Sequence, residues 1–114
     1  MNAANDGSEY YFSISNLCHD LYLRSHMDSQ GFVLLSVIAN FNRMKELSSN
    51  LEQLKLVCQQ SQVLEWRLGV DGKDRIRKRE GWDKWVVDKA RRDPSAQHDG
   101  VEAASPAPDR KSVV

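Results

Sequence analysis

At 114 residues the chain is long enough for one small domain with a modest core. Sixteen basic residues balance sixteen acidic ones, so no long-range field directs it to duplex DNA or to an anionic membrane. Its two cysteines, Cys18 and Cys58, match no zinc or redox spacing, no run is long and apolar enough to span a bilayer, and the N-terminus lacks a signal-peptide layout.

Residues 1–8 are small, polar and without periodicity, and are expected to form a disordered leader. The run Tyr10-Tyr11-Phe12-Ser13-Ile14-Ser15-Asn16-Leu17-Cys18-His19-Asp20-Leu21-Tyr22-Leu23 then gathers four aromatic residues and one acid. From Ser15 to Met27 the spacing predicts a helix, with Leu17, Leu21 and Arg24 on one side and Ser13 or Ser15 at its start. Asp28-Ser29-Gln30-Gly31 is a turn signal, and Phe32-Val33-Leu34-Leu35 reads as a short buried strand. Ser36 is expected to cap a second helix with Val37, Ile38, Phe41 and Met44 as its apolar stripe, closing at Leu47. Ser49-x-x-Glu52 has capping-box spacing and opens a third helix, with Leu51, Leu54, Val57 and Cys58 inward.

Gln62 to Leu68 alternates as a strand, Asp71-Gly72 signals a tight hairpin turn, and Asp74 to Lys78 returns as the partner strand. Helix, short strand, helices and then a β-hairpin is the layout of a winged helix, an α+β domain that is mostly helical with a small antiparallel sheet. The domain is expected over residues 9–87. Residues 88–114 hold no aromatic residue and all three prolines, and are expected to be a disordered tail. Both cysteines fall in helical patterns, so buried free thiols in a reducing compartment are expected, which places the protein in the cytoplasm or nucleus.

Aromatic faces stack unpaired bases, each worth ~1–3 kcal/mol on alanine substitution, so Tyr10, Tyr11, Phe12 and Tyr22 are candidate platforms for single-stranded RNA. The alternative for each is core packing, most of all for Phe12, which has no polar tip. Adjacent Tyr10 and Tyr11 cannot both face inward, so at least one should line a surface. Asp20 could accept hydrogen bonds from the 2′- and 3′-hydroxyls of a terminal ribose, and its charge would favour a free 3′ end over a phosphorylated one. Its alternative is a solvated helical acid paired with Arg24. Phe41 is either another wall of such a pocket, with Arg43 or Lys45 near phosphates, or part of the core. Arg75-Ile76-Arg77-Lys78-Arg79 could present charges to phosphates from one face of the wing, or form a solvated edge. Trp82 and Trp85, one turn apart, are expected to clamp the C-terminal segment to the domain. His19, His26 and His98 have no nucleophile at motif spacing and no phosphate-binding glycine loop exists, so no enzyme, cofactor or metal is expected.

Glu9-Tyr10-Tyr11-Phe12-Ser13, Asn16-Leu17, Asp20-Leu21-Tyr22-Leu23, Met27-Asp28, Gly31-Phe32, Ile38-Ala39-Asn40-Phe41-Asn42-Arg43 and Leu47-Ser48 resemble, in order, the La motif of La and La-related proteins. The resemblance runs from about Glu9 to Val86, and Arg77-Lys78-Arg79-Glu80-Gly81-Trp82-Asp83-Lys84-Trp85 looks most like the class 1 La-related branch. It implies a winged helix with inserted helices and capture of RNA 3′ ends, preferably poly(A), in control of mRNA stability or translation. It places the RNA site on Tyr10, Tyr11, Asp20, Tyr22, Phe41, Asn42 and Arg43, and translation or mRNA-decay proteins join the RNA 3′ end as implied partners. Three positions depart from the family pattern. Gly7 stands where a pocket glutamine is usual, in a leader too short and polar for the family's preceding helix. Leu34 replaces a common proline, and Tyr22 replaces a common phenylalanine while keeping an aromatic ring. A winged-helix protein-interaction module with lost or weakened RNA binding is the alternative function. Duplex DNA reading is disfavoured because Val37 to Phe41 is too apolar for a groove-reading face.

Overall fold

Two capped turns divide the N-terminal third of the chain. In a computed structural model, which describes residues 8–41 and 51–104, α1 spans Ser8–Tyr11, α2 Ile14–Leu17 and α3 Leu21–Ser25. Ser13 Oγ accepts the Asn16 N–H at 3.3 Å, and Asp20 Oδ1 accepts the Leu23 N–H at 3.0 Å. The single helix predicted over Ser15–Met27 is therefore broken at Cys18–Asp20. The Asp20 side chain competes with the helical ladder for the next backbone donors and starts a new helix instead. The break shifts the register, so that Leu21 is exposed. Cys18, expected to be buried, is exposed in the turn after α2, while Cys58 is buried.

Strand β1 is only Val33–Leu34, and α4 follows directly at Leu35–Ala39. Leu34 occupies the cap position without a side-chain hydrogen bond, so Ser36 sits inside the first turn rather than capping it. Helix α5 spans Leu51–Gln60 and buries Leu54 and Cys58, whereas Leu51, expected inward, is exposed. Met44, Leu47 and the Ser49 cap lie outside the described residues, as do residues 1–7 of the expected leader and 105–114 of the expected tail.

The predicted hairpin forms from β2, Leu64–Leu68, and β3, Asp74–Lys78. Gly72 takes φ +80° and donates its N–H to Gly69 O at 2.9 Å, a backbone conformation that glycine adopts without a side-chain clash. The sheet order is β1-β3-β2, antiparallel throughout, with Val33 and Trp66 both opposite Ile76. The wing thus packs back on the short strand. Phe12, Leu17, Leu23, Val33, Ile38, Leu54, Leu64 and Ile76 close the core between helices and sheet, each large apolar side chain contributing ~1.5–3 kcal/mol.

The segment after Asp88 departs from the disordered tail that composition predicts. Arg92 is 8% exposed, and its guanidinium donates to Val87 O at 3.0 Å, Ser29 Oγ at 3.0 Å, Ala96 O at 3.1 Å and His98 O at 3.2 Å. Asp93 N–H donates to Ser25 O at 2.9 Å, Val70 N–H to Glu102 O at 2.9 Å, and Ala104 N–H to Leu68 O at 2.7 Å. Pro94 opens a one-turn 3-10 helix, Pro94–Ala96, capped by Asp93, where its fixed φ fits the helix start. Residues 88–104 form a strap across the domain. Low apolar content argues against independent folding, but this strap is ordered by hydrogen bonds to a domain already built.

Candidate functional site

Helix α1 carries Tyr10 and Tyr11, α3 carries Tyr22, and Phe41 follows the end of α4. Their rings form a connected run. Tyr10 and Tyr11 lie 6.0 Å apart between centroids at 63°, Tyr11 and Phe41 4.7 Å at 67°, and Tyr22 and Phe41 6.0 Å at 53°. Edge-to-face and tilted contacts of this kind stabilise a cluster while leaving ring faces uncovered. Tyr11 and Phe41 pack against the core, whereas Tyr10 is 44% and Tyr22 63% exposed. The run has an anchored middle and open ends. Phe12 is fully buried and belongs to the core cluster, as its lack of a polar tip suggested.

Asp20 stands at the start of α3 beside this run. Its Oδ1 accepts the Leu23 N–H, and its Oδ2 accepts Asn16 Nδ2 at 2.9 Å. Asn16 is 5% exposed and also donates to Tyr11 O at 2.8 Å. One buried amide thus fixes the acid relative to the backbone of the second tyrosine. Each carboxylate oxygen has two lone pairs, so these contacts orient Asp20 and still leave it able to accept from a hydroxyl. Arg24 does not pair with it as the i,i+4 alternative supposed. Its guanidinium donates to Trp85 O at 3.0 Å and lies over the Trp85 ring at 5.5 Å, so the tryptophan clamps the chain after the wing.

The structure therefore joins the rings of Tyr10, Tyr11, Phe41 and Tyr22 in one run and ties Asp20 to the Tyr11 backbone through Asn16; Asn42 and Arg43 lie outside the described residues. Two contributors escaped sequence reasoning. Asn16 precedes Asp20 by four residues, the spacing of a side-chain bridge on a helical turn. His26 follows Tyr22 by four, packs on its ring at 4.6 Å and sets Nδ1 2.9 Å from Tyr22 O.

The wing contrasts with the expected phosphate-binding face. Arg75 is buried and meets Asp71 with two parallel contacts of 3.0 Å. Its hydrogen bond is the largest cause that holds the Asp71 carboxyl below its ordinary value. Arg77 donates to Glu65 at 3.0 Å and Gln30 O at 2.7 Å, and lies between the Phe32 ring at 4.4 Å and the Trp82 ring at 4.6 Å. Arg79 donates to Leu64 O at 2.8 Å. Arg75 and Arg79 brace the hairpin itself, and Arg77 fastens it to Gln30 and Phe32 of the domain. Among the described residues no group of three or more His, Cys, Asp or Glu side chains is placed to hold a metal ion.

Comparison with known proteins bears on the same segments. The La domain family matches residues 8–60, which include the aromatic helices and end with α5. An uncharacterized HTH La-type RNA-binding protein of Schizosaccharomyces pombe is 40% identical over 81 residues, covering 69% of this chain and 17% of that protein. La-related protein 1C of Arabidopsis thaliana is 44% identical over 87 residues, covering 76% of this chain and 15% of that protein. The chain thus spans about a sixth of the length of these relatives. Among solved structures, the La autoantigen N-terminal domain superposes with a TM-score of 0.59 at 26% identity, over 69% of this chain and 85% of that domain. Matched residues, relatives and winged-helix architecture agree, and the chain belongs to the La domain family.

Proposed function

We propose that this domain binds RNA and captures single-stranded 3′ ends, with poly(A) preferred, in the control of mRNA stability or translation in the cytoplasm. The carrying observation is the aromatic run Tyr10–Tyr11–Phe41–Tyr22 beside an Asp20 carboxylate fixed by Asn16. Exposed ring faces offer stacking platforms to unpaired bases. The carboxylate accepts from vicinal ribose hydroxyls and repels a terminal phosphate, which selects for a free 3′ end. No step here requires catalysis. Support for the RNA reading comes also from relatives whose names state RNA binding, such as the fission yeast protein; the poly(A) preference is what the class 1 La-related resemblance of Arg77 to Trp85 implies.

Titration with oligo(A) bearing a free or a phosphorylated 3′ end tests this. Tighter binding of the free end is expected, and equal affinity for both would remove Asp20 from the proposed role. A protein-interaction module with weakened RNA binding is the second reading, favoured by the exposed Ile14 and Leu21 and by wing arginines already engaged within the domain. A folded sample that binds no oligonucleotide at low salt would select it.

A further inference from the structure

Tyr10 borders two surfaces. One side of its ring region meets Tyr11 in the aromatic run. It also lines a separate cleft of about 400 Å³, together with Glu9, Phe12, Ser13, Val63 and Lys78. The cleft lies between α1 and the open end of the hairpin, where Leu64 opposes Lys78 in the register. Its size suits one nucleotide unit. We propose that this cleft is a second RNA subsite, which receives the nucleotide next upstream of a 3′-terminal dinucleotide held at the aromatic run. The assignment rests on the RNA reading above.

The chemistry of the cleft walls carries the proposal. The Lys78 side chain has no hydrogen-bond or ion-pair partner among the described residues, unlike those of Arg75, Arg77 and Arg79 in the same wing segment. Its ammonium is thus an unengaged charge on the cleft wall, available to a phosphate as a strand leaves Tyr10. Opposite it, Glu9 Oε2 accepts the Ser61 hydroxyl at 2.8 Å, which ties α1 to the start of β2 and fixes the carboxylate. The remaining oxygen can accept from an exocyclic amino group, present on adenine and cytosine and absent from uracil. Val63, 47% exposed, and the Tyr10 ring supply apolar flanks for the base. Cation on one wall, acceptor on the other and an aromatic ring shared with the first site together describe a nucleotide with its phosphate toward β3 and its amino edge toward α1.

The test compares an oligo(A) dinucleotide with an octanucleotide, both with free 3′ ends, on the wild-type chain and on Lys78→Gln over a series of salt concentrations. The octanucleotide should bind the wild type more tightly. Lys78→Gln should weaken it by roughly two- to fivefold and lower the log–log salt slope by about 0.7, the loss of one single-strand phosphate contact. The dinucleotide should be unaffected. Amide resonances of Ser13 and Val63 should shift with the octanucleotide and not with the dinucleotide. An oligo(U) octanucleotide should gain less from its length. Dinucleotide binding with no effect of Lys78→Gln on the longer strand would overturn the subsite and leave the 3′-end site standing. Binding of neither oligonucleotide by the wild type would overturn both.

Discussion

On the wing and strap, Arg75, Arg77 and Arg92 are each taken up by carboxylates, carbonyls or ring faces of the same chain. On the helical side, Tyr10 and Tyr22 stand 44% and 63% exposed, although each touches another ring. The residue types usually assigned to RNA backbones have become internal fastenings, and those usually assigned to cores partly face solvent. Physical chemistry accounts for the exchange. A guanidinium has five donors in a rigid fork, so it can hold a loop, a strand and a strap together at once. An aromatic ring can be anchored by its edge and still present a face. Charge counted along a sequence is therefore a poor guide to the field outside the folded molecule.

Substitutions on the two sides should separate stability from binding, and the largest effect belongs to the strap. Arg92→Ala removes the donor shared by three carbonyls and Ser29 Oγ, and should lower unfolding free energy by roughly 2–4 kcal/mol in chemical denaturation. Affinity for RNA per folded molecule should change little. Tyr22→Ala should do the reverse. Binding to oligo(A) should weaken by ~1–3 kcal/mol, while the melting temperature barely moves, because the side chain is 63% exposed. A large drop in stability with unchanged affinity would place Tyr22 in the structural class with the arginines.

Asp20→Asn sharpens the contrast within a single residue. Asparagine offers one acceptor oxygen where aspartate offers two, so it can cap the Leu23 N–H or accept from Asn16 Nδ2 but not both, and stability should fall by roughly 1–2 kcal/mol. Discrimination between free and phosphorylated 3′ ends should shrink if the charge is what selects them. The smallest effect concerns acid on the wing. Asp71 is held below its ordinary value of 3.8, first by the Arg75 hydrogen bond and against a desolvation effect that raises it. A carboxyl whose folded value lies below its unfolded one contributes stability fully above the unfolded value and loses it as pH falls through the folded value. Thermal melts of wild type and Asp71→Asn should therefore differ at neutral pH and converge as pH falls below 3.8.

Much of the architecture could be read from local patterns because it is local. Asp71-Gly72 specifies a hairpin whatever surrounds it, and the periodicity of Leu54 and Cys58 is intrinsic to α5. The candidate site was partly legible for the same reason: two adjacent tyrosines cannot both be buried, so one had to reach a surface. Helix ends were less legible. A serine at 36 and an aspartate at 20 are both capable caps, and only the course of the chain decided that Asp20 caps α3 while Ser36 falls within α4.

The sequence by itself determined the winged-helix order and the pairing of aromatic residues with one acid, because periodicity, turn chemistry and side-chain polarity act over a few residues. Only the tertiary structure decided which charges remain for a ligand. Arg77 finds Gln30 and Phe32, Arg92 finds Ser29, and Asn16 aims Asp20 through contacts made by the folded chain. A side chain's partners are set by proximity in space, and proximity in space across tens of residues exists only after the core has closed.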